Sequence, residues 1–475
     1  MTLSALKKGF PLKRLWTALL CAALAVLSPA EASANSGPVR MQASPSFAVT
    51  PLSDCPVAVT GEDLSFDFSS QERSDYSPLA KASARYEMKN PSSGALNVQM
   101  AFPMIASLSD LSRMQGIGIR SDGKDLPFRF SIGEEQSVDS RPRAYFSDDG
   151  TLDSAVLPSF GEILKSASKP SGTPEALKGQ GTLYRFSCAG LVRLKVGLKE
   201  MGQNAAVLTT GVNGYSRTDS GILLDGMCEP GAGMSVLAVG DVSRPDVKTY
   251  TENGEKELDA EVRTTATEQD AASFLREKLK NTEAYRAYPT EEFLSELTAA
   301  ALRAAGDIAK QGIAFGDGEL YDFLAKQRIL LLTYEVPFPA GGARQVSVQY
   351  PVSGEMNAEK TASPVYSYGY LLDPAKNWAR FQNLSVRVVP PKEAPYVVRS
   401  SLPMTRSQDG SYTAKFNSLP DGDLTFSLYP SEKLTPKNGG YHTGRHVLFR
   451  AFTLAAVCLL SFLYFRFFRR RKRKT

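Results

Sequence analysis

The chain has 475 residues, of which 42% are hydrophobic and 22% charged, a composition that fits a globular protein with more than one hydrophobic core and excludes a disordered, collagenous or disulfide-dense chain. The formal net charge is +5, but terminal runs set it: residues 1–34 hold four bases and one acid, residues 445–475 hold nine bases and no acid, and residues 35–444 hold 42 bases against 49 acids. A folded body with a net charge of −7 excludes nucleic acid as an expected partner, because phosphate neutralisation requires clustered Lys and Arg.

Residues 1–34 have the three-part pattern of a secretory signal peptide. Four basic residues between positions 7 and 14 precede an apolar run at 15–27, and three small residues at 32–34 follow it. The alternative is an uncleaved anchor helix, but these 13 apolar residues are too short for a hydrocarbon core of roughly 30 Å. We expect cleavage after Ala34.

Residues 35–250 are predicted to form an N-terminal β domain. Apolar residues alternate at 82–88 and 96–102 with a turn at 90–94 between them, which predicts a hairpin. Asp122 and Gly123 predict a second, tight hairpin. Residues 133–180 are rich in Ser, Pro, Gly and charge, so we expect a long surface excursion with one short helix near 160–166.

Residues 251–326 are predicted to be a helical insert. Thr267 with Asp270 three residues later resembles a helix cap and precedes a first apolar stripe. Thr290 begins a second run with apolar residues at helical spacing, which Gly312 ends. We expect these stripes to be packing surfaces rather than a cofactor site.

Residues 327–430 contain seven short apolar runs with turn signals, including Asp409-Gly410 and Asp421-Gly422, which is typical of a β-sandwich. Residues 431–446 would be a polar stalk. The predicted fold class is therefore mainly β, with two antiparallel β-sandwich-like domains, an inserted helical segment and one C-terminal transmembrane helix.

The transmembrane prediction rests on residues 447–468, which are 22 residues long and sufficient for a bilayer that needs about 20. Six consecutive bases follow at 469–474. By the positive-inside rule, the tail 469–475 is cytoplasmic and the body faces outward. The basic run also resembles the end of a wall-sorting signal, but the required Leu-Pro-x-Thr-Gly is absent.

Three cysteines belong to the body: Cys55, Cys188 and Cys228. In an oxidising exterior, three thiols predict one disulfide and one free thiol. Cys188 with Cys228 is the first choice, and Cys55 with either of them is the alternative. Their spacing does not match a zinc array.

Histidine occurs only at 442 and 446, where two imidazoles at i, i+4 spacing lack a third ligand. Residues 35–441 therefore contain no histidine, which excludes Ser-His-Asp and Cys-His nucleophiles and His-ligated catalytic metals from this part of the chain. Acidic clusters at 148–153 and 421–423 do not fit a calcium loop and are typical of turns. We predict no metal and no cofactor.

Tyr366, Tyr368 and Tyr370 alternate on one predicted strand, and Trp378 follows closely. Such aromatic groups stack on sugars or bind peptides, and they also fill sandwich cores. One face of a sandwich strand must point inward, so we favour core packing, and we name these four as the candidate binding residues of the chain.

Together these features predict a single-pass, membrane-anchored extracytoplasmic protein of the bacterial cell envelope that binds or scaffolds without catalysis. Its partners would be the bilayer and a membrane-protein or cell-surface partner. Two alternatives remain: a surface glycan hydrolase that uses two carboxylates, and an accessory subunit of a membrane complex. The sequence does not identify a ligand.

Overall fold

The computed structural model describes residues 39–437, apart from positions 113–116, 139–140, 143–144, 154, 169–171, 203 and 220. The predicted signal peptide, transmembrane helix and basic tail lie outside these residues. Within the part that is described, no helix is both long and apolar enough to cross a membrane. Residues 40–358 and 363–434 form one compact unit, which contains every sheet and helix that the structure describes; the described residues of a second unit are 39, 359–362 and 435–437.

The described chain is mainly β. Before the first helix come the strands β1 (Arg40–Met41), β2 (Ser46–Phe47), β3 (Thr50–Pro51), β4 (Ala58–Asp67), β5 (Leu79–Lys89), β6 (Leu96–Ser107), β7 (Gly118–Ser121), β8 (Lys124–Asp125), β9 (Arg129–Glu135), β10 (Ser137–Val138) and β11 (Arg141–Pro142). Helix α1 (Phe160–Ala167) is followed by β12 (Gln180–Cys188), β13 (Val192–Lys199), β14 (Ala206–Thr210), β15 (Gly214–Thr218), β16 (Gly221–Cys228), β17 (Met234–Val239), β18 (Asp246–Tyr250), β19 (Glu257–Leu258) and β20 (Val262–Asp270).

Four helices and nine strands complete the described part. They are α2 (Ala271–Leu279), α3 (Glu283–Ala287), α4 (Glu291–Lys310), α5 (Asp317–Ala325), β21 (Gln327–Phe338), β22 (Ala343–Ser353), β23 (Glu355–Asn357), β24 (Val365–Leu371), β25 (Arg380–Val389), β26 (Tyr396–Ser400), β27 (Thr405–Arg406), β28 (Tyr412–Ser418) and β29 (Leu424–Tyr429).

Three sheets build the larger sandwich. Sheet I has the order β27-β28-β25-β4-β5-β22-β7-β8, sheet II has β1-β23-β24-β29-β26 with β2 beside β24, and sheet III has β3-β6-β21-β9. Inward residues of sheet I share one core with those of sheets II and III. Across this core Phe66 packs edge-on against Phe426, with ring centroids 5.1 Å apart, and Phe102 meets Tyr350 at 4.7 Å.

Strands from both ends of the chain alternate within these sheets. β5 pairs with β22 in an unbroken antiparallel register from Leu79↔Ser353 to Lys89↔Ala343, and β6 pairs with β21 along twelve positions. β4 and β25 pair in parallel. The helical segment therefore does not separate two sets of strands, and the boundaries predicted at 250 and 327 do not divide the sheets from one another.

The hairpin predicted at 82–102 is wrong. β5 belongs to sheet I and β6 to sheet III, so the turn at 90–94 is an arch that connects two facing sheets. Asn90 is fully buried in this arch and donates hydrogen bonds to the carbonyls of Gly94 and Pro339. Alternation shows which side of a strand is buried, but it does not show which strand lies beside it. The hairpin predicted at Asp122-Gly123 is confirmed, as β7 and β8.

A second, smaller sandwich lies between residues 180 and 270. Sheet IV has the order β14-β17-β12-β20 and sheet V the order β15-β16-β13-β18-β19. Their facing residues form a separate core. The other side of sheet IV contributes Leu183, Leu208 and Leu237 to the core of the larger sandwich, where helices α2 and α4 also pack.

The helix signals are largely confirmed. Thr290 caps α4 by accepting a hydrogen bond from the backbone N of Phe293, and Gly312 follows the helix with a φ of +67°. Helix α1 covers 160–167, close to the predicted 160–166. The cap of α2 is corrected: Asp270 accepts from Ser273 N at 2.9 Å, whereas Thr267 lies in β20. Residues 257–270, expected within the helical insert, include strands β19 and β20.

Candidate functional site

The four predicted binding residues lie in the core of the larger sandwich. Tyr366, Tyr368, Tyr370 and Trp378 are all buried, with at most 7% of any side chain exposed. Tyr368 donates to the carbonyl of Pro78 at 2.7 Å, and Trp378 Nε1 donates to Val49 O at 3.0 Å. In this arrangement the rings are fixed by packing and hydrogen bonds, and their faces are not available for stacking on a ligand.

Strand β24 is buried on both sides, which explains why alternation alone could not locate a binding face. Its seven residues are all buried. Tyr368 stacks on Phe426 toward the main core, with ring centroids 5.2 Å apart. On the opposite side, Leu371 joins a smaller core with Tyr145, Phe146 and Ile163, which come from the predicted surface excursion. The excursion thus covers the second face of the sheet.

A cavity of about 1020 Å³ opens at one end of the larger sandwich. Its walls come from residues 40–46 before β3, from the loop at 74–76, from the end of β6 at 102–107 and from the end of β22 at 350–353. Residues of sheets I, II and III therefore meet there. A concave site of this size with apolar walls and a few polar groups is the usual form of a small-molecule pocket.

Pairing in the sheets positions the polar groups of the cavity. Gln327 begins β21 and lies opposite Ser107 at the end of β6, and both line the cavity. The segment 40–46 is held by Tyr76, another lining residue, whose hydroxyl donates to Gln42 O at 2.9 Å. Sequence alternation did not indicate these residues, because they come from strand ends and connections.

Three oxygens in the cavity walls are shielded from solvent and have no hydrogen-bond partner among the described residues: Oε1 of Gln42, Oγ of Ser44 and Oε1 of Gln327. An unpaired buried oxygen costs about 1–3 kcal/mol. Rotation of these side chains toward the cavity would expose the oxygens to a hydroxyl or amide donor of a ligand.

The charged groups of the walls are mostly carboxylates. Arg40 lines the cavity, but its guanidinium is paired with Asp148 at 2.8 Å and Glu355 at 3.0 Å. Asp75, Asp110 and Asp153 also line it. Asp110 accepts from the Ser107 hydroxyl at 2.7 Å, and Asp153 accepts from Ala155 N at 3.0 Å. This arrangement favours a neutral ligand with hydrogen-bond donors over an anion.

A buried polar cluster lies beneath the cavity. Tyr350 lines the cavity. Burial is the main reason why the pKa of Tyr350 is raised, and the negative charge of Glu62 raises it further. Glu62 is 1% exposed and accepts from Tyr370 at 3.1 Å, and the hydroxyls of Tyr370 and Tyr86 lie 2.9 Å apart. Burial raises the pKa of the Glu62 carboxyl to about 7, against the opposing effect of the tyrosine hydrogen bonds.

The acidic clusters seen in the sequence accept hydrogen bonds from nearby backbone N–H groups. Asp149 accepts from the N and the hydroxyl of Thr151, and Asp423 accepts from the backbone N of Leu372 at 2.7 Å. Within the described chain, no group of three or more His, Cys, Asp or Glu residues could hold a metal ion. Cys188 and Cys228 lie in the core of the smaller sandwich as free thiols, while Cys55 packs against the larger core.

Comparison with known proteins assigns no family. No family model matches the chain, and no curated protein matches it. Among solved structures, the chain is similar to a Legionella pneumophila protein that is provisionally described as a nutrient binding protein. The two chains are 8% identical, the match covers 82% of this chain and 73% of that chain, and the TM-score is 0.30. A likeness this low carries no functional argument, so function has to be inferred from the residues.

Proposed function

We propose that this chain is a single-pass, membrane-anchored protein of the bacterial cell envelope whose extracytoplasmic body binds a small molecule without converting it. The cavity of about 1020 Å³ carries the binding part of this proposal. The signal-peptide pattern at 1–34, the apolar segment 447–468 and the basic run that follows it support export and anchoring.

The chemistry of the walls defines the class of ligand. Met41, Leu79 and Val156 are partly exposed and offer apolar area, and the unpaired oxygens of Gln42, Ser44 and Gln327 require hydrogen-bond donors. Short glycans and short peptides both present hydroxyl or amide donors beside apolar faces. We therefore expect a neutral ligand of disaccharide or tripeptide size.

The test is a thermal shift of the full chain in detergent with three probes: chitobiose, cellobiose and Ala-Ala-Ala. At about 100 times its Kd, a ligand adds about 2.7 kcal/mol to the free energy of unfolding. We expect at least one probe to raise the Tm of the wild type. No shift with any of the three would contradict the proposal.

A matched pair of variants locates the binding. Ala155 is exposed and lines the cavity, so a tryptophan there obstructs it without disturbing a core; Ala232 is exposed in a turn of the smaller sandwich. Ala155→Trp should abolish the shift, and Ala232→Trp should retain it. An unchanged shift in Ala155→Trp would place the ligand elsewhere.

A glycan hydrolase is the second candidate, because Asp75, Asp110 and Asp153 share the cavity with the partly exposed ring of Tyr76. Glycosidases place two carboxylates on either side of the scissile bond. Under the binding proposal, a chito-oligosaccharide incubated with the protein is recovered intact. Shorter products that disappear in Asp75→Asn or Asp110→Asn would make the protein an enzyme.

A further inference from the structure

Cys188 and Cys228 end two strands that face each other in the smaller sandwich. Cys188 is the last residue of β12 in sheet IV, and Cys228 is the last residue of β16 in sheet V. Phe186 lies two positions before Cys188 and therefore points to the same side. Phe186 and Cys228 are fully buried and Cys188 nearly so, all within one core.

The side chain of Cys228 reaches across this core to the end of β12, where Cys188 lies. Cys228 donates a hydrogen bond to the carbonyl of Phe186 at 3.9 Å, so its side chain reaches from sheet V to sheet IV at the end of β12. Strands β12 and β16 are in contact, although they belong to different sheets. Cys55, the third cysteine of the body, packs against the core of the larger sandwich instead.

We propose that Cys188 and Cys228 form a disulfide bond that joins sheets IV and V, and that Cys55 remains a thiol. The sequence left three pairings open, and the separation of the two cores selects one of them. This inference is independent of the ligand proposed for the cavity, which lies in the larger sandwich.

The bond forms by thiol–disulfide exchange with a protein disulfide oxidant of the compartment outside the membrane. One cysteine thiolate attacks a sulfur of the oxidant's disulfide, and a mixed disulfide forms while one oxidant thiol leaves. The second cysteine thiolate then attacks the mixed disulfide and releases the other oxidant thiol. The two cysteines lose two electrons and two protons, and the oxidant gains them as two thiols.

The exchange precedes closure of the smaller sandwich. Burial, together with the neighbouring Cys228 thiol, raises the pKa of the Cys188 thiol to about 12 in the folded chain. Only the thiolate is the nucleophile in exchange. Reaction is therefore fast while the strands are still open, and the finished bond is protected once Phe186 and Met234 pack around it.

Peptide mapping tests the pairing directly. The full chain is taken from membranes, its free thiols are blocked with N-ethylmaleimide, and it is cut with trypsin without reduction. Cleavage after Arg185, Arg193, Arg217 and Lys248 releases residues 186–193 and 218–248, since Pro245 protects the bond after Arg244. We expect these two peptides to be linked and the Cys55 peptide to carry the maleimide. A link to Cys55 overturns the proposal, and so does maleimide on all three cysteines both here and in the refolding arm described next.

A second arm removes any dependence on export. The same map is made after the purified chain is unfolded under reducing conditions and refolded in detergent with a glutathione redox buffer. A 188–228 link in this arm alone means that the bond is correct and that export fails, whereas its absence from both arms refutes the bond itself.

Stability provides a readout on folded protein. A disulfide between these positions restricts the unfolded chain, so in a compact unit of this size its reduction should lower the Tm of the wild type by roughly 2–5 °C. Cys55→Ser should respond in the same way, and Cys188→Ser should not respond to the reductant. An equal response in all three proteins would show that the reductant acts elsewhere.

Discussion

The hydroxyl of Tyr370 donates a hydrogen bond to Oε1 of Glu62 over 3.1 Å inside the larger sandwich. The two residues belong to facing sheets, since Glu62 lies in β4 of sheet I and Tyr370 in β24 of sheet II. A second tyrosine, Tyr86, lies 2.9 Å from Tyr370 and is in turn bound by the backbone N of Val49. A tyrosine predicted to bind a ligand thus connects the two layers of the core through a buried carboxyl group.

This carboxyl group makes stability depend on pH. Burial raises the pKa of Glu62 from 4.5 to about 7 in the folded chain. Between these values the folded state holds a proton that the unfolded state has lost, so the free energy of unfolding falls as pH rises from about 4.5 to 7 and is level above that. The loss is about 3 kcal/mol.

Glu62→Gln removes this dependence, because the amide has no proton to lose. Between pH 4.5 and 8, the stability of Glu62→Gln relative to the wild type should rise by about 3 kcal/mol. Chemical unfolding followed by the fluorescence of Trp378 measures it. Glu72→Gln is the control, since Glu72 is exposed. Parallel pH profiles for Glu62→Gln and the wild type would show that Glu62 does not titrate in this range.

Gln327→Leu tests the unpaired oxygen in the cavity wall. The substitution removes a buried acceptor that has no donor among the described residues, so the chain without ligand should become more stable by about 1 kcal/mol. Gln349→Leu is the control, because Gln349 lies on the outer side of β22, next to Tyr350. Destabilisation of Gln327→Leu by a similar amount would mean that the oxygen already has a partner in solution.

Gly354→Ala tests the packing around Tyr368. A Cβ at position 354 would lie 2.5 Å from Cζ of the Tyr368 ring, and the ring cannot move because its hydroxyl is bound to Pro78 O. Overpacking of this kind costs about 1–3 kcal/mol. Gly161→Ala is the control, since a Cβ there meets nothing within 4 Å. Equal Tm values for the two variants would show that Tyr368 is free to rearrange.

Deletion of residues 447–475 tests membrane anchoring. The truncated chain should be secreted in soluble form, because the apolar segment and its basic flank would no longer hold it in the bilayer. Cell fractionation measures the outcome. A truncated chain that remains with the membrane fraction would contradict anchoring by this segment.

Replacement of residues 447–468 by an unrelated apolar helix addresses the accessory-subunit alternative. An inert anchor tolerates the replacement, and both ligand binding and membrane location should be retained. Loss of a membrane partner in crosslinking after the replacement would favour the accessory subunit instead.

Local signals in the sequence determined much of the secondary structure. The turn at Asp122-Gly123 and the cap at Thr290 depend on residues within a few positions of each other, and both are confirmed. The β-rich class and the alternation of buried residues in β5 and β22 follow equally from neighbouring positions. The exclusion of histidine-dependent catalysis from residues 35–441 follows from the positions of the two histidines alone.

Tertiary structure alone decided which strands lie side by side. Alternation specifies a buried face but no partner, so β5 and β6 gave the pattern of a hairpin while they belong to different sheets. Each of β4, β5 and β6 also has a partner more than 200 positions away, in β25, β22 and β21 respectively. The cavity exists only where those distant strand ends meet. Its residues, Gln42 and Gln327 among them, carry no local motif, because their role depends on neighbours that the chain brings together only when it folds.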